Sequence, residues 1–393
     1  MPSNVRRGRI PRAPQGVDEL VDELYTITGF FGPWAHIYRR HNLSHPKSWS
    51  ADYMMYQGFD TNALTPTDAS DPAGAPITLL TGDGIEVSIS HRKEAMPFAE
   101  RNQDFHQIRF YHRGEFVVET ELGRIETKPG DFLVIPMGII FRETPKTTEN
   151  CVAIYEVAQP ITFAMDELWD TVGFTSHFVD ESGMVLPEPV EHDLADIEVD
   201  TEVRIKYGGK YESMVYPFDP CKDAVGWLGD PIVCKLNVWD IPGLGSSHGF
   251  LPPPTGAVFM AADKSFFFNV LSVKPFPNEP APNGSYGPPG HQNDYEEVWF
   301  NHASEAAPET DGHLWLMPTS CPHPGLKRPP EYPPNPVKKI RELKLNFDCT
   351  SILKWSDEVR DALLPDPQKA IYTSFYGAHI GIDPDQAAQH VKE

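Results

Sequence analysis

Three side chains in residues 287–327 (GPPGHQNDYEEVWFNHASEAAPETDGHLWLMPTSCPHPGLK) have the types and spacing to do chemistry together: His291, Glu297 and His323. Two imidazoles and one carboxylate are the side-chain set of a 2-His-1-carboxylate facial triad. Such a triad holds Fe(II) on one face and leaves the other positions open for substrate and O2. Glu297 begins the run Glu-Val-Trp-Phe-Asn. In a strand, Glu297, Trp299 and Asn301 share one face, while Val298 and Phe300 share the other. If the first set faces a barrel interior, Glu297 is a buried carboxylate, costly unless a divalent cation compensates it. His291 sits in a Gly-Pro-Pro-Gly loop that can fold it back, and His323 follows Cys-Pro at the head of another strand. His302 and His313 are weaker rivals. His302 would face away from Glu297, and His313 follows Asp311-Gly312 at a turn tip. His36, His41 and His45 have metal-like spacing, but a polar segment over a domain edge is the simpler reading.

The elements that must position the triad are strands. From Ala75 the hydrophobic pattern has period two: ITLLTGDGIEVSISH, then QIRFYHRGEFVVETELGRIETKPGDFLVIPMGIIFRE, with glycine at each turn. Many short strands so spaced indicate an antiparallel sandwich or barrel. The fold expected is all-β dominated, with two antiparallel jelly-roll-like barrels. Short helices are expected in the N-terminal arm, where Val17, Leu20, Val21 and Leu24 have helical spacing before Gly29, and at the C-terminus in DEVRDALL. The expected division is an arm over 1–74, a metal-free barrel over 75–165 and an acidic crossover over 166–210. A metal-binding barrel over 211–350 and a helical tail over 351–393 follow.

An internal repeat supports two copies of one unit. Gln292–His302 aligns with Asn102–His112, and Pro318–His323 with Pro136–Phe141. In that alignment His291, Glu297 and His323 fall opposite Arg101, Gln107 and Phe141. Arginine cannot ligate, glutamine is a weak ligand and phenylalanine has no donor atom, so the first copy is expected to be structural.

At these residues the chain resembles the homogentisate 1,2-dioxygenase family, a two-barrel group of cupins, which implies a bicupin fold. The shared pieces are GRIPR with ELYTITGFFGPWAHIY, LGRIETKPGDFLVIPMGIIFR, and HQNDYEEVWF with PTSCPH. The resemblance implies Fe(II) held by His291, Glu297 and His323, and O2-dependent opening of a para-dihydroxylated aromatic ring. Two family histidines are missing: their positions fall on Ala261 and Met317. That weakens homogentisate itself and leaves iron and ring cleavage as the firmer expectation. His248, in Ser-Ser-His-Gly-Phe, is a candidate for acid-base work, and Tyr295 and Trp299 for the substrate wall. The alternatives are an iron enzyme for hydroquinone or another phenol, a non-catalytic cupin binding a small ligand or metal, and an isomerase using another divalent ion.

A formal charge of -23, from 56 acidic and 33 basic residues, argues against nucleic acid and anionic membrane as partners. Five scattered cysteines without a CxxC, and no long apolar run, point to a reduced cytoplasm. The expected partners are a small aromatic substrate, O2 and further copies of the chain in a homo-oligomer.

Overall fold

A computed structural model describes residues 20–163, 183–229, 233–241, 256–272, 274–275, 290–305, 307–324, 339–340 and 342–372. The protein is mostly β, with a few short helices. Two seven-stranded sheets carry the architecture, and they correspond strand for strand. In the first, His106–Arg113 lies between Asp131–Ile135 and Cys151–Val157, and Ile85–Ser90 and Ile77–Gly82 follow outward. In the second, Glu296–Ser304 lies between His313–Met317 and Glu342–Cys349, followed by Phe266–Leu271 and Ala257–Ala261. Gln107 pairs with Ile135 and Glu156, while Glu297 pairs with Met317 and Asp348, so the repeat holds at the level of register.

Each strand of these sheets has an apolar outer face, and the two outer faces pack on each other. Phe110 meets Phe300, Phe132 meets Phe259 and Phe268, and Tyr155 meets Phe347, all as close ring pairs. The inner faces line the two barrels. A six-stranded sheet closes the first around Tyr111, Phe116, Leu133 and Ile154.

Sheet membership departs from the boundaries expected at 165, 210 and 350. Thr201–Tyr207 and Lys210–Tyr216 belong to the six-stranded sheet of the first barrel. They are held there by charge: Lys206 reaches Glu86 and Glu156 at 2.6 Å each, and Asp104 accepts the Gly208 and Gly209 N–H groups at 2.8 Å each. Cys234–Asn237 edges the first seven-stranded sheet, and the Asn237 amide donates to Asp131. Gln57–Asp60 and Ile161–Phe163 edge the second, and Lys354–Trp355 returns to the first.

The arm is a second correction. Val21–Thr26 is a strand, paired antiparallel with Trp34–Arg39 and parallel with Gly290–Gln292. Pairing on both sides overrides the helical spacing. Buried Glu23 ties the three strands, accepting from Arg39 and Gln292. Among the described residues the arm's helices are single 3₁₀ turns, such as Asp52–Met54, and Val17 lies outside those residues. At the other end DEVRDALL contains a 3₁₀ helix, Asp357–Ala362, before the α-helix Pro367–Tyr372. All five cysteines are buried thiols without a disulfide. Among the described residues no helix is long and apolar enough to cross a membrane, which does not bear on β-barrels.

Where the sheets meet, His112 and His302 are buried with Nδ1 atoms 2.9 Å apart. One ring donates and the other accepts, so the two cannot both be protonated. Burial pushes His302 down to about 4; burial, then the facing His302, pushes His112 well below its ordinary value. Unfolded, both titrate near pH 6.5. Below that the unfolded chain binds more protons than the folded one, so stability falls with pH. His302 alone accounts for a loss on the order of 2 kcal/mol by pH 5. Urea melts from pH 7 to 5 should show this fall, and His302→Phe should flatten it. An equal slope in that variant would contradict the assignment.

Candidate metal centre

His291, Glu297 and His323 converge. His291 is the middle residue of Gly290–Gln292, Glu297 the second of Glu296–Ser304, and His323 follows the turn after Met317. His291 and His323 exchange both backbone hydrogen bonds, at 3.2 and 3.1 Å. The turn that permits this is fastened to the ligand strand. Ser320 has φ +57°, and its N–H donates to the Asn293 carbonyl at 2.7 Å. Glu296 accepts the Thr319 N–H and hydroxyl, each at 2.8 Å. From the other side the arm strand sets Leu24 beside His291, and the Phe30 ring meets the His291 imidazole edge-on at 5.3 Å.

The two histidine Nε2 atoms are 2.9 Å apart, and each lies 3.7 Å from a Glu297 oxygen. All three residues are at most 5% exposed. A divalent ion with bonds of about 2.1 Å spaces adjacent ligand atoms about 3.0–3.4 Å apart, within the range seen here. The surrounding groups hold the donors in ligating form. His323 Nδ1 donates to the Cys321 carbonyl at 3.1 Å, which leaves the Nε2 lone pair for a metal. Burial, with His291 adding to it, pushes His323 down to about 4, so its imidazole is neutral. Burial alone would raise Glu297. The facing imidazoles and the Trp299 indole N–H outweigh it and hold the carboxyl down at about 2. Asn293 Nδ2 and Trp299 Nε1 donate to its two oxygens at 2.6 and 3.1 Å. Two imidazole nitrogens and one fixed carboxylate, all buried, fit a divalent cation.

The first barrel repeats this frame with other side chains, one residue out of the sequence alignment. The Gly138 N–H donates to the Asn102 carbonyl just as Ser320 does to Asn293. Phe141, the counterpart of His323, pairs with Glu100. The counterpart of His291 is therefore Glu100, not Arg101, and the triad is replaced by Glu100, Gln107 and Phe141.

Trp299 donates to Glu297, and Tyr295 packs with Leu24, Phe30 and Phe267 while its hydroxyl donates to the Lys264 carbonyl. His248 lies outside the described residues. His302 is turned toward the other sheet, and His313 pairs with Asp60. His36 binds Asp22 at 3.0 Å. Among the described residues the only histidine, cysteine and carboxylate grouping close enough to share an ion is the triad. Met317 lies directly across from Glu297.

Sequence reasoning missed a polar ladder inside the second barrel. Asp348 and Asn346 lie opposite Glu297 and Trp299, and Asn269 lies opposite Asn346. All three are fully buried, and each has at least one side-chain oxygen without a partner. The signal was present in Glu342–Cys349. Its alternate residues Lys344, Asn346 and Asp348 are polar, between Leu343, Leu345, Phe347 and Cys349.

Fold and site together define a mostly-β, double-barrel protein with a candidate 2-His-1-carboxylate centre in its second half. No family model matches the chain. It is 25% identical over 289 residues to the Saccharolobus solfataricus protein named "Putative dioxygenase SSO1533", covering 66% of this chain and 69% of that one. Similar solved structures include a cupin 2 conserved barrel domain protein from Leptotrichia buccalis, with TM-score 0.35, 9% identity, and coverage of 74% of this chain and 95% of that one. Another is the "Putative Glyoxylate Induced Protein" of Pseudomonas aeruginosa, with TM-score 0.36, 10% identity, and coverage of 80% and 96%.

Proposed function

We propose that the protein is an Fe(II)-dependent dioxygenase that opens the ring of a hydroquinone-type aromatic substrate. The observation that carries this is the buried cluster of His291, Glu297 and His323, with its ligand atoms turned toward one point. The relative named "Putative dioxygenase SSO1533" supports the O2-dependent part of this reading. Bound iron would supply a Lewis acid for a ring hydroxyl and a site for O2. The chain's part is to orient and to exclude water. Asn293 and Trp299 fix the plane of the Glu297 carboxylate, and Cys321 fixes the His323 ring. Phe30, which meets His291 edge-on, packs in one apolar cluster with Phe267 and Tyr295, and that cluster is the proposed wall for an aromatic ring. Acid-base work falls to a group other than the family histidines, whose positions hold Ala261 and Met317; His248 is the proposed candidate.

The test is oxygen uptake. Protein loaded anaerobically with Fe(II) is mixed with homogentisate, gentisate or hydroquinone, and air is admitted. Uptake with loss of the ring's ultraviolet absorbance is expected for at least one of them. Iron-loaded protein that consumes O2 with none would overturn the substrate class, and binding without uptake would favour a carrier.

A further inference from the structure

The first barrel contains a cavity of about 260 Å³ where the second holds its triad; Glu100, Gln107 and Phe141, the triad's counterparts, all line it. That is slightly below the ~300 Å³ at which pockets for drug-sized ligands begin, so an occupant must be small. Five carboxylates line the space (Asp68, Glu86, Glu100, Glu143 and Glu156) against three cations. Each cation is already engaged. Arg92 donates to the Pro72 and Gly74 carbonyls at 2.6 and 2.8 Å. Arg109 is gripped by both Glu143 oxygens, at 3.1 and 2.6 Å. Lys206 bridges Glu86 and Glu156. With Arg109 and Lys206 ion-paired and Arg92 turned to backbone carbonyls, the lining favours a cation over an anion.

Glu100 is the carboxylate left over. Among the described residues its side chain has only the Gln107 amide within hydrogen-bonding reach, at 3.5 Å. Burial pushes its carboxyl up, against the pull of Arg109. No three of these carboxylates lie close enough together to share one bare ion, since the triad is the only such grouping of three among the described residues. Phe141, Ile154 and Met96 supply apolar wall beside the charged end. A ligand matching this lining has a cationic hydrogen-bonding head and a short carbon body.

We infer that the first barrel is a second small-molecule site, which takes a compact primary amine with its ammonium group on Glu100. The amine and the iron then occupy corresponding places in the two halves of one repeat. Substitution of the triad turned a metal cup into an ammonium cup rather than into solid core.

Isothermal calorimetry on the iron-loaded protein tests this with ethylamine, ethanolamine and 1,4-diaminobutane. Acetate, glycerol and magnesium chloride serve as comparators at equal ionic strength. One amine should bind at one site per chain, with no comparator competing. Glu100→Gln should weaken it about tenfold or more, the effect of losing a charge-assisted hydrogen bond. Iron content and oxygen uptake should stay at the wild-type level in that variant. His291→Ala should leave amine binding in place, which separates this site from the metal centre. Crystals of the wild-type protein soaked with the binding amine give a readout independent of any variant: density should lie against Glu100. The inference fails if no amine binds, if Glu100→Gln binds equally well, if acetate or magnesium binds in its place, or if the soaked amine lies elsewhere.

Discussion

Glu297→Gln is expected to lose iron during purification and to show no oxygen uptake above background. Glutamine keeps the shape of the side chain, and its single amide oxygen can still accept from Asn293 or from Trp299, so the barrel should fold. What is lost is the one negative charge facing two imidazoles. Substitutions of groups that only orient metal ligands cost 10–100-fold in metal affinity, so loss of this ligand should exceed about 100-fold. Asn293→Ala and Trp299→Phe remove one hydrogen bond each to the carboxylate and should weaken iron by about tenfold. The series is read by iron titration under nitrogen. Glutamine in place of Glu297 with unchanged iron content would remove the basis for the centre.

Glu143→Ala is expected to produce the largest stability loss, about 3–5 kcal/mol. Glu143 is 1% exposed, and Arg109 holds it through two nitrogens while the Tyr111 hydroxyl donates to the same carboxylate. Truncation leaves a buried guanidinium without its counter-ion and a buried phenol without its acceptor. Both costs fall on the folded state alone. The double variant Arg109→Met with Glu143→Leu removes the charges together and should recover most of the loss. Urea denaturation measures both. A Glu143→Ala midpoint close to wild type would show that water reaches Arg109 and that the pair is not a buried one.

The triad was legible because its residues interrupt an otherwise regular pattern. A glutamate in the run Glu-Val-Trp-Phe-Asn and histidines beside glycine and proline have no packing reason to be where they are. The repeat was legible from Asp104, Phe110 and His112 matching Asp294, Phe300 and His302. Its one-residue offset was not. Asn102 precedes Gln107 by five positions and Asn293 precedes Glu297 by four, so an ungapped alignment set Arg101 where Glu100 belongs. The arm strand was hidden for another reason. Val21–Thr26 owes its conformation to Trp34–Arg39 on one side and to Gly290–Gln292, far along the chain, on the other, and the spacing of its own apolar residues reports neither. The swapped edge strands are of the same kind. Ile161–Phe163 finds its partner at Phe259–Ala261, and Lys354–Trp355 finds its own at Leu80–Thr81. Hydrophobic alternation shows that a segment is a strand, but not which sheet it joins.

The most direct measurement is anomalous scattering at the iron edge from crystals of the Fe(II)-loaded protein. One peak per chain is predicted, within bonding distance of His291 Nε2, His323 Nε2 and a Glu297 oxygen. No peak there, or a peak among Glu100, Glu143 and Glu156 in the first barrel, would contradict the account.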